Sequence, residues 1–226
     1  MYTISKMHFV KELSIIVHKM RELYAIPHDI ETCLAIDRSI SMERDFSKGT
    51  ITVLIDIILA IAIVSNIAKK LKMFFFNTSV SKFPDATFLD SGIYLRDHPV
   101  TIGGATNLHP VVTKLLGRKP KILRHLFNHI FRIKPKLRHV IVITDGDCFD
   151  RNEFELYLAM TPASYRFMQI LGISNRIDNE YLSFVARNYP NVAFGYIDID
   201  QIKPEEILDK VFNQKFINWL KKPRDL

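Results

Sequence analysis

The apolar run Cys33-Leu34-Ala35-Ile36 stops abruptly at Asp37, and hydroxyls follow at Ser39 and Ser41. A strand covered on both faces reads as a continuous apolar run, whereas a half-exposed strand alternates. This stretch therefore asks for a sheet with helices on two sides. The run over 139–144 repeats the pattern and ends in Asp145-Gly146-Asp147. In an open α/β sheet, the loops at the carboxyl ends of such strands are where ligands bind. Further buried strands are expected over 72–76, 165–173 and 192–197, and an edge strand over 92–95. Between them, helical spacing predicts helices over 50–70, 110–116, 151–160 and 179–188. Another runs from Pro204 toward Trp219, with the proline in its first turn. The expected caps are Asn107 or a neighbour for the helix at 110 and Asp150 for the helix at 151. Strands alternating with helices give an α/β fold, doubly wound, with a mostly parallel central sheet. Phe9, Leu13, Ile16, Val17 and Met20 add an amphipathic helix over about 6–23, ahead of the first strand. With no linker or repeat in sight, 1–226 reads as a single domain.

The apolar run over 51–68 is the one stretch that tempts a membrane reading. It contains Asp56, Ser65 and Asn66 and barely reaches spanning length, so a helix packed against the sheet explains it better. No basic and apolar leader pattern opens the chain, so no signal peptide is expected. Cys33 and Cys148 are the only cysteines. If Asp37 and Asp145 end neighbouring strands, Cys33 lies roughly 13 Å back from that edge and Cys148 beyond it, too far apart to bridge. A reducing, cytoplasmic setting follows as the expectation.

Asp37, Ser39 and Ser41 place one carboxylate and two hydroxyls on five residues of one loop. Hard oxygens without sulfur or imidazole suit Mg²⁺, Mn²⁺ or Ca²⁺. Thr106, in the small-residue loop Thr101-Ile102-Gly103-Gly104-Ala105-Thr106-Asn107, and Asp145 add two more. Asp-x-Ser-x-Ser, a Thr in a glycine-rich loop, and an Asp opening an Asp-Gly turn together resemble the metal-ion-dependent adhesion site of the von Willebrand factor A domain. The closer resemblance is to the TerF-type branch, found with tellurium-resistance and stress-response gene products. Leu34 to Ser39, Gly103 to Asn107 with Pro110, Ile143 to Gly146 with Asn152-Glu153-Phe154, the stretch Phe167 to Ile173, and Trp219-Leu220 carry it. It extends from about residue 10 to the end. One departure is Ile40, where these domains usually carry glycine; a β-branched side chain would be strained there if the site required φ > 0.

The resemblance implies a Rossmann-like fold and a role for each residue. Ser39 and Ser41 would ligate a divalent cation directly, Asp37 and Asp145 mainly through waters, and Thr106 either way. Mg²⁺ is the first expectation, with Mn²⁺ or Ca²⁺ as alternatives. The implied function is a non-enzymatic interaction module that binds an acidic partner residue or anionic ligand through the metal, in a tellurite or stress-response setting.

Two other readings stand beside it. A Mg²⁺-dependent phosphohydrolase would use Asp37 as nucleophile, but Ser39 stands where such sites place a second carboxylate. A polyanion-binding protein would use the segment 118–139. That segment has eight cationic residues (Arg118, Lys119, Lys121, Arg124, Arg132, Lys134, Lys136, Arg138) and no acid, in a chain with 31 basic and 24 acidic residues and net charge +7. The same segment also reads as a solvated helix face. His98, His109, His125, His129 and His139 show no zinc spacing; His125 and His129, one helical turn apart, fit a basic helix surface. Asp147 and Asp150 read as turn and cap residues.

Overall fold

The computed structural model describes residues 30–64, 70–117, 136–146, 148–161, 164–173 and 179–222. The expected helix over 6–23, most of the basic segment, His125, His129 and Asp147 lie outside the described residues. Six strands form one sheet: β1 (Ile30–Asp37), β2 (Lys72–Phe76), β3 (Val80–Lys82), β4 (Leu137–Thr144), β5 (Arg166–Gly172) and β6 (Val192–Tyr196). Their order is β3-β2-β1-β4-β5-β6. All neighbours are parallel except β3, which folds back antiparallel on β2. The chain winds outward from β1 in one direction and from β4 in the other, so the fold is doubly wound and its switch point lies between those two strands.

The continuous apolar runs explain the layers. Along β1, Leu34 and Ile36 enter one core and Cys33 and Ala35 the other. The first core is closed by α2 (Thr50–Val64), which follows the short α1 (Glu43–Ser47), and by two carboxyl-terminal helices. The second is closed by α5 (Arg151–Met160) and α6 (Asn179–Asn188). Apolar residues from Ile51 to Ala62 are buried around most of the circumference of α2, and Asp56 accepts a hydrogen bond from the Gly92 N–H at 2.7 Å. Among the described residues no helix is long and apolar enough to cross a membrane.

Three sequence expectations are corrected. Residues 92–95 are not an edge strand: 92–93 form a turn, with Gly92 at φ 76, and α3 spans Tyr94–Asp97. Tyr94 is buried and its hydroxyl donates to the Pro84 carbonyl at 2.5 Å, while β3 already occupies the sheet edge. The helix at 109 is capped from another part of the chain. α4 (His109–Val111) widens at once into a π-turn (Val112–Leu116), and the Asp150 carboxylate accepts the Leu108 and His109 N–H groups at 2.9 and 2.8 Å. Asp150 thus precedes α5 without capping it by its side chain. The last helix is two: α7 (Pro204–Val211) and α8 (Gln214–Lys221). Asn213 separates them, its side chain accepting from the Phe216 N–H at 3.0 Å while its amide donates to Gln169 Oε1 at 2.5 Å.

Cys33 and Cys148 are free and buried. His139 is a core residue, stacked on Phe216 at 4.2 Å between ring centroids; burial alone pushes its pKa down to about 3. It is a neutral packing element.

Candidate metal centre

The Ile36↔Ile143 register between β1 and β4 brings both strand ends to one level, with Asp37 and Thr144 next in line. Asp37 is wholly buried. Its Oδ1 accepts the Ser39 N–H at 2.8 Å, which turns the chain sharply after the strand. A 3₁₀ turn, Ile40–Met42, follows and is anchored by buried Met42. Ile40 heads this right-handed turn, so the strain conditional on φ > 0 does not arise. The turn brings the Ser39 and Ser41 hydroxyl oxygens to 3.0 Å from each other.

The second loop is stitched to the first. The Ile40 N–H donates to the Gly104 carbonyl at 3.2 Å and the Gly103 N–H to the Arg38 carbonyl at 2.8 Å. Asn77, in the turn after β2, donates its side-chain amide to the Gly103 carbonyl at 2.7 Å and accepts the Asn107 N–H on its own carbonyl at 3.1 Å. Gly104 sits at φ 81, and a Cβ there would approach the Asn77 amide nitrogen to 3.1 Å. So held, the Thr106 hydroxyl lies 2.9 Å from Asp37 Oδ2 and 3.1 Å from Ser39 Oγ.

The third loop closes the cluster. Ser41 Oγ donates to Asp145 Oδ1 at 2.8 Å. Thr144 Oγ1 donates to Asp37 Oδ2 at 2.7 Å and accepts the Gly146 N–H at 3.3 Å. A Cβ on Gly146 would come within 2.8 Å of Thr106 Oγ1, so this glycine is the space the threonine occupies. The Phe149 N–H donates to the Thr106 carbonyl at 3.2 Å. Asp37, Ser39, Ser41, Thr106 and Asp145 thus form one hydrogen-bonded cluster drawn from three turns. All are buried except Ser41, which is partly exposed and marks the side open to solvent.

Burial pushes the Asp37 carboxyl above its ordinary value, against the hydrogen bonds from Thr144, Ser39 and Thr106. Asp145 is also pushed up, first by burial and then by the charges of Asp37 and Asp45, against the Ser41 hydrogen bond. Among the described residues neither carboxylate has an ion-pair partner. Two buried acids without a counter-charge are costly, and a bound cation is a physical remedy. Among the described residues no three His, Cys, Asp or Glu side chains gather as a metal site. The donor set here is two carboxylates and three hydroxyls, which suits a hard ion that keeps part of its water.

Sequence reasoning did not assign Thr144, Gly146 or Asn77 a role. The first two flank Asp145 directly, so a hydroxyl at the end of β4 was a usable signal. Asn77 reaches the site only through the pairing of β2 with β1, which no local pattern encodes.

A family model described as the von Willebrand factor A domain found in the TerF carboxyl terminus matches residues 29–225. No curated protein matches the chain. Among solved structures, a von Willebrand factor type A protein from Catenulispora acidiphila is 14% identical, covering 83% of this chain and 42% of its own, with TM-score 0.53. Proximal thread matrix protein 1 from the mussel byssus, with a zinc occupied MIDAS motif, is 16% identical over 82% and 46%, with TM-score 0.53. The manganese-loaded TRAP protein of Plasmodium vivax is 15% identical over 81% and 73%, with TM-score 0.53. The chain thus spans less than half the length of the first two. At these identities the likeness is one of fold.

Proposed function

The chain belongs to the TerF-like branch of the von Willebrand factor A family, and on that premise we propose that it is a metal-dependent protein-interaction module. The observation that carries this reading is the convergence of five oxygen-bearing side chains from three turns at the switch point of the sheet. Ser39, Ser41 and Thr106 would hold a divalent cation through their hydroxyls, with Asp37 and Asp145 supplying negative charge. Mg²⁺ suits this set first, and Mn²⁺ or Ca²⁺ are the alternatives. Neutral hydroxyls among the nearest donors leave a cation only partly neutralised. When bound, the ion supplies an electrophilic position that takes a carboxylate from a partner. The partly exposed Ser41 side is the approach for that group. The same reading takes 1–226 as one domain, places it in the cytoplasm, and ties it to tellurite or stress response through the resemblance alone.

A hydrolase reading is weaker on geometry. Asp37 is wholly buried, and both its oxygens already accept hydrogen bonds, from Ser39 on one and from Thr144 and Thr106 on the other. A nucleophile must be reached by its substrate, and the Asp37 carboxylate is turned inward among these hydroxyls with no exposed surface. Of the basic segment, Arg138 is engaged by Glu31 and by the Leu115 carbonyl at 2.7 Å, which removes it from any anion-binding face.

Calorimetric titration of Mg²⁺ and Mn²⁺ tests the proposal. The chain is expected to bind one ion saturably, and Ser39→Ala, which removes one hydroxyl and leaves every backbone contact in place, to weaken it by at least about tenfold. Undiminished affinity in a folded Ser39→Ala protein refutes it.

A further inference from the structure

Two of the large apolar side chains left exposed by this fold stand at the candidate metal centre. Ile40 lies between Ser39 and Ser41, whose hydroxyls turn into the cluster, yet its own side chain is 66% exposed. Phe149, just after the Asp145 turn, is 74% exposed. Their backbones fix them to opposite ends of one short segment: the Ile40 N–H donates to the Gly104 carbonyl and the Phe149 N–H to the Thr106 carbonyl. The two backbones therefore flank the segment 104–106 that carries Thr106, and both side chains are exposed there. Ala105, between these two anchor points in the chain, is exposed as well. Phe149 also forms one wall of a cleft of about 370 Å³ continued by Arg151, Asn152 and Glu153. An isolated exposed apolar residue is ordinary, but two at the rim of a single buried polar site mark a contact surface. The buried carboxylates and hydroxyls select a cation and, through it, an anionic group. The rim selects for something apolar immediately beside that group.

We infer that the partner presents an acidic side chain next to a large aliphatic or aromatic one: the carboxylate enters at Ser41, and the apolar neighbour packs on Ile40 and Phe149. This rests on the metal-dependent reading above. It commits the occupant to a protein segment of that chemistry, since small inorganic anions offer the rim nothing. The chain's excess of positive charge favours the approach of an acidic segment.

The test uses the whole chain with saturating Mg²⁺ and three carboxylic acids as probes: acetate, 4-methylpentanoate and 3-phenylpropionate, followed by amide NMR shifts. All three present the same carboxylate, so differences between them report the rim. 3-Phenylpropionate and 4-methylpentanoate are expected to bind about tenfold or more tighter than acetate, with shifts at Gly104, Thr106 and Phe149. Phe149→Ser and Ile40→Ser should each shrink that gap at least threefold, and both side chains are exposed enough for the fold to tolerate their loss. Mg²⁺ affinity is measured by calorimetry in each protein.

Ion binding with equal affinity for all three acids overturns the rim inference and leaves the metal-dependent reading standing. No ion binding overturns the metal-dependent reading and the inference with it, whatever the gap between the acids. Concentration-dependent dimerisation that buries Ile40 and Phe149, read by sedimentation, also overturns the inference, because a second copy is then the occupant.

Discussion

Thr144→Val isolates the contact that ties the candidate metal centre to the sheet. Thr144 is wholly buried; its hydroxyl donates to Asp37 Oδ2 at 2.7 Å and accepts the Gly146 N–H at 3.3 Å. Valine keeps the shape and the β-branched strand preference, so the change removes one oxygen and its hydrogen bonds. A hydrogen bond to a charged group contributes about 1.5–3 kcal/mol net. The loss is therefore expected to be about 2 kcal/mol, or roughly 4–8 °C in Tm for a chain of this size. Thr144 also does most to hold the Asp37 carboxyl down against burial. Removing it raises that carboxyl further and weakens any cation that needs it ionised. Urea unfolding at pH 7 in chelator measures the stability cost, and an unchanged m-value shows that the unfolded state is not the cause. Thr144→Ser, which restores the hydroxyl, should recover more than half. A valine variant as stable as the parent, or a serine variant that recovers nothing, refutes the idea that this hydroxyl supports a buried carboxylate.

Two further outcomes follow from the same geometry. Gly146→Ala places a Cβ 2.8 Å from Thr106 Oγ1, so the threonine must move off Asp37. A cost of about 1–3 kcal/mol and weakened Mg²⁺ binding are expected by urea unfolding and calorimetry, and unchanged stability and affinity together would count against the packing described. Asp145→Asn tests the electrostatics: its native carboxyl is held above the ordinary value of 3.8, so the cation-free native state binds the proton more tightly than the unfolded chain. That contribution to stability is present below pH 3.8 and is lost as pH rises through the raised native value. In chelator the asparagine variant should therefore gain on the parent as pH rises from about 4 to 7, and saturating Mg²⁺ should stabilise the parent more than the variant. Urea midpoints across pH decide it; a variant that gains nothing on the parent between about pH 4 and 7 in chelator contradicts the assignment.

The elements that the sequence made legible are those whose pattern is local. Continuous apolar runs marked β1, β2 and β4, and helical spacing marked α5 and α6 to their ends. The Asp37 and Asp145 loops could be placed together because each ends a buried strand, and the structure brings Thr106 to Asp37 by a hydrogen bond and against Gly146 in the Asp145 loop. What was not legible depends on contacts between distant segments. Asp150 is a reasonable cap for the helix that follows it, yet its carboxylate serves α4, forty-one residues upstream at His109. Asn213 stands within an otherwise continuous helical pattern; it breaks the helix because its side chain finds Gln169 on β5 and the Phe216 N–H at once. Tyr94 sits among short apolar pieces that look like an edge strand until Pro84 claims its hydroxyl.

The core and the candidate metal centre are specified by one register. A shift of β1 against β4 by a single residue would exchange the faces, sending Leu34 and Ile36 into the core now lined by Cys33 and Ala35. The same shift would carry Thr144 away from Asp37 and leave a fully buried carboxylate with one fewer donor. Packing of the two faces and the Thr144 hydrogen bond therefore favour the same meeting of the strand ends. The buried acids, each raised by desolvation and without an ion pair among the described residues, oppose the fold at that point. The apolar runs on either side hold them there anyway. A site of that kind is most favourable when a cation is present, which makes ion binding and fold stability one linked equilibrium.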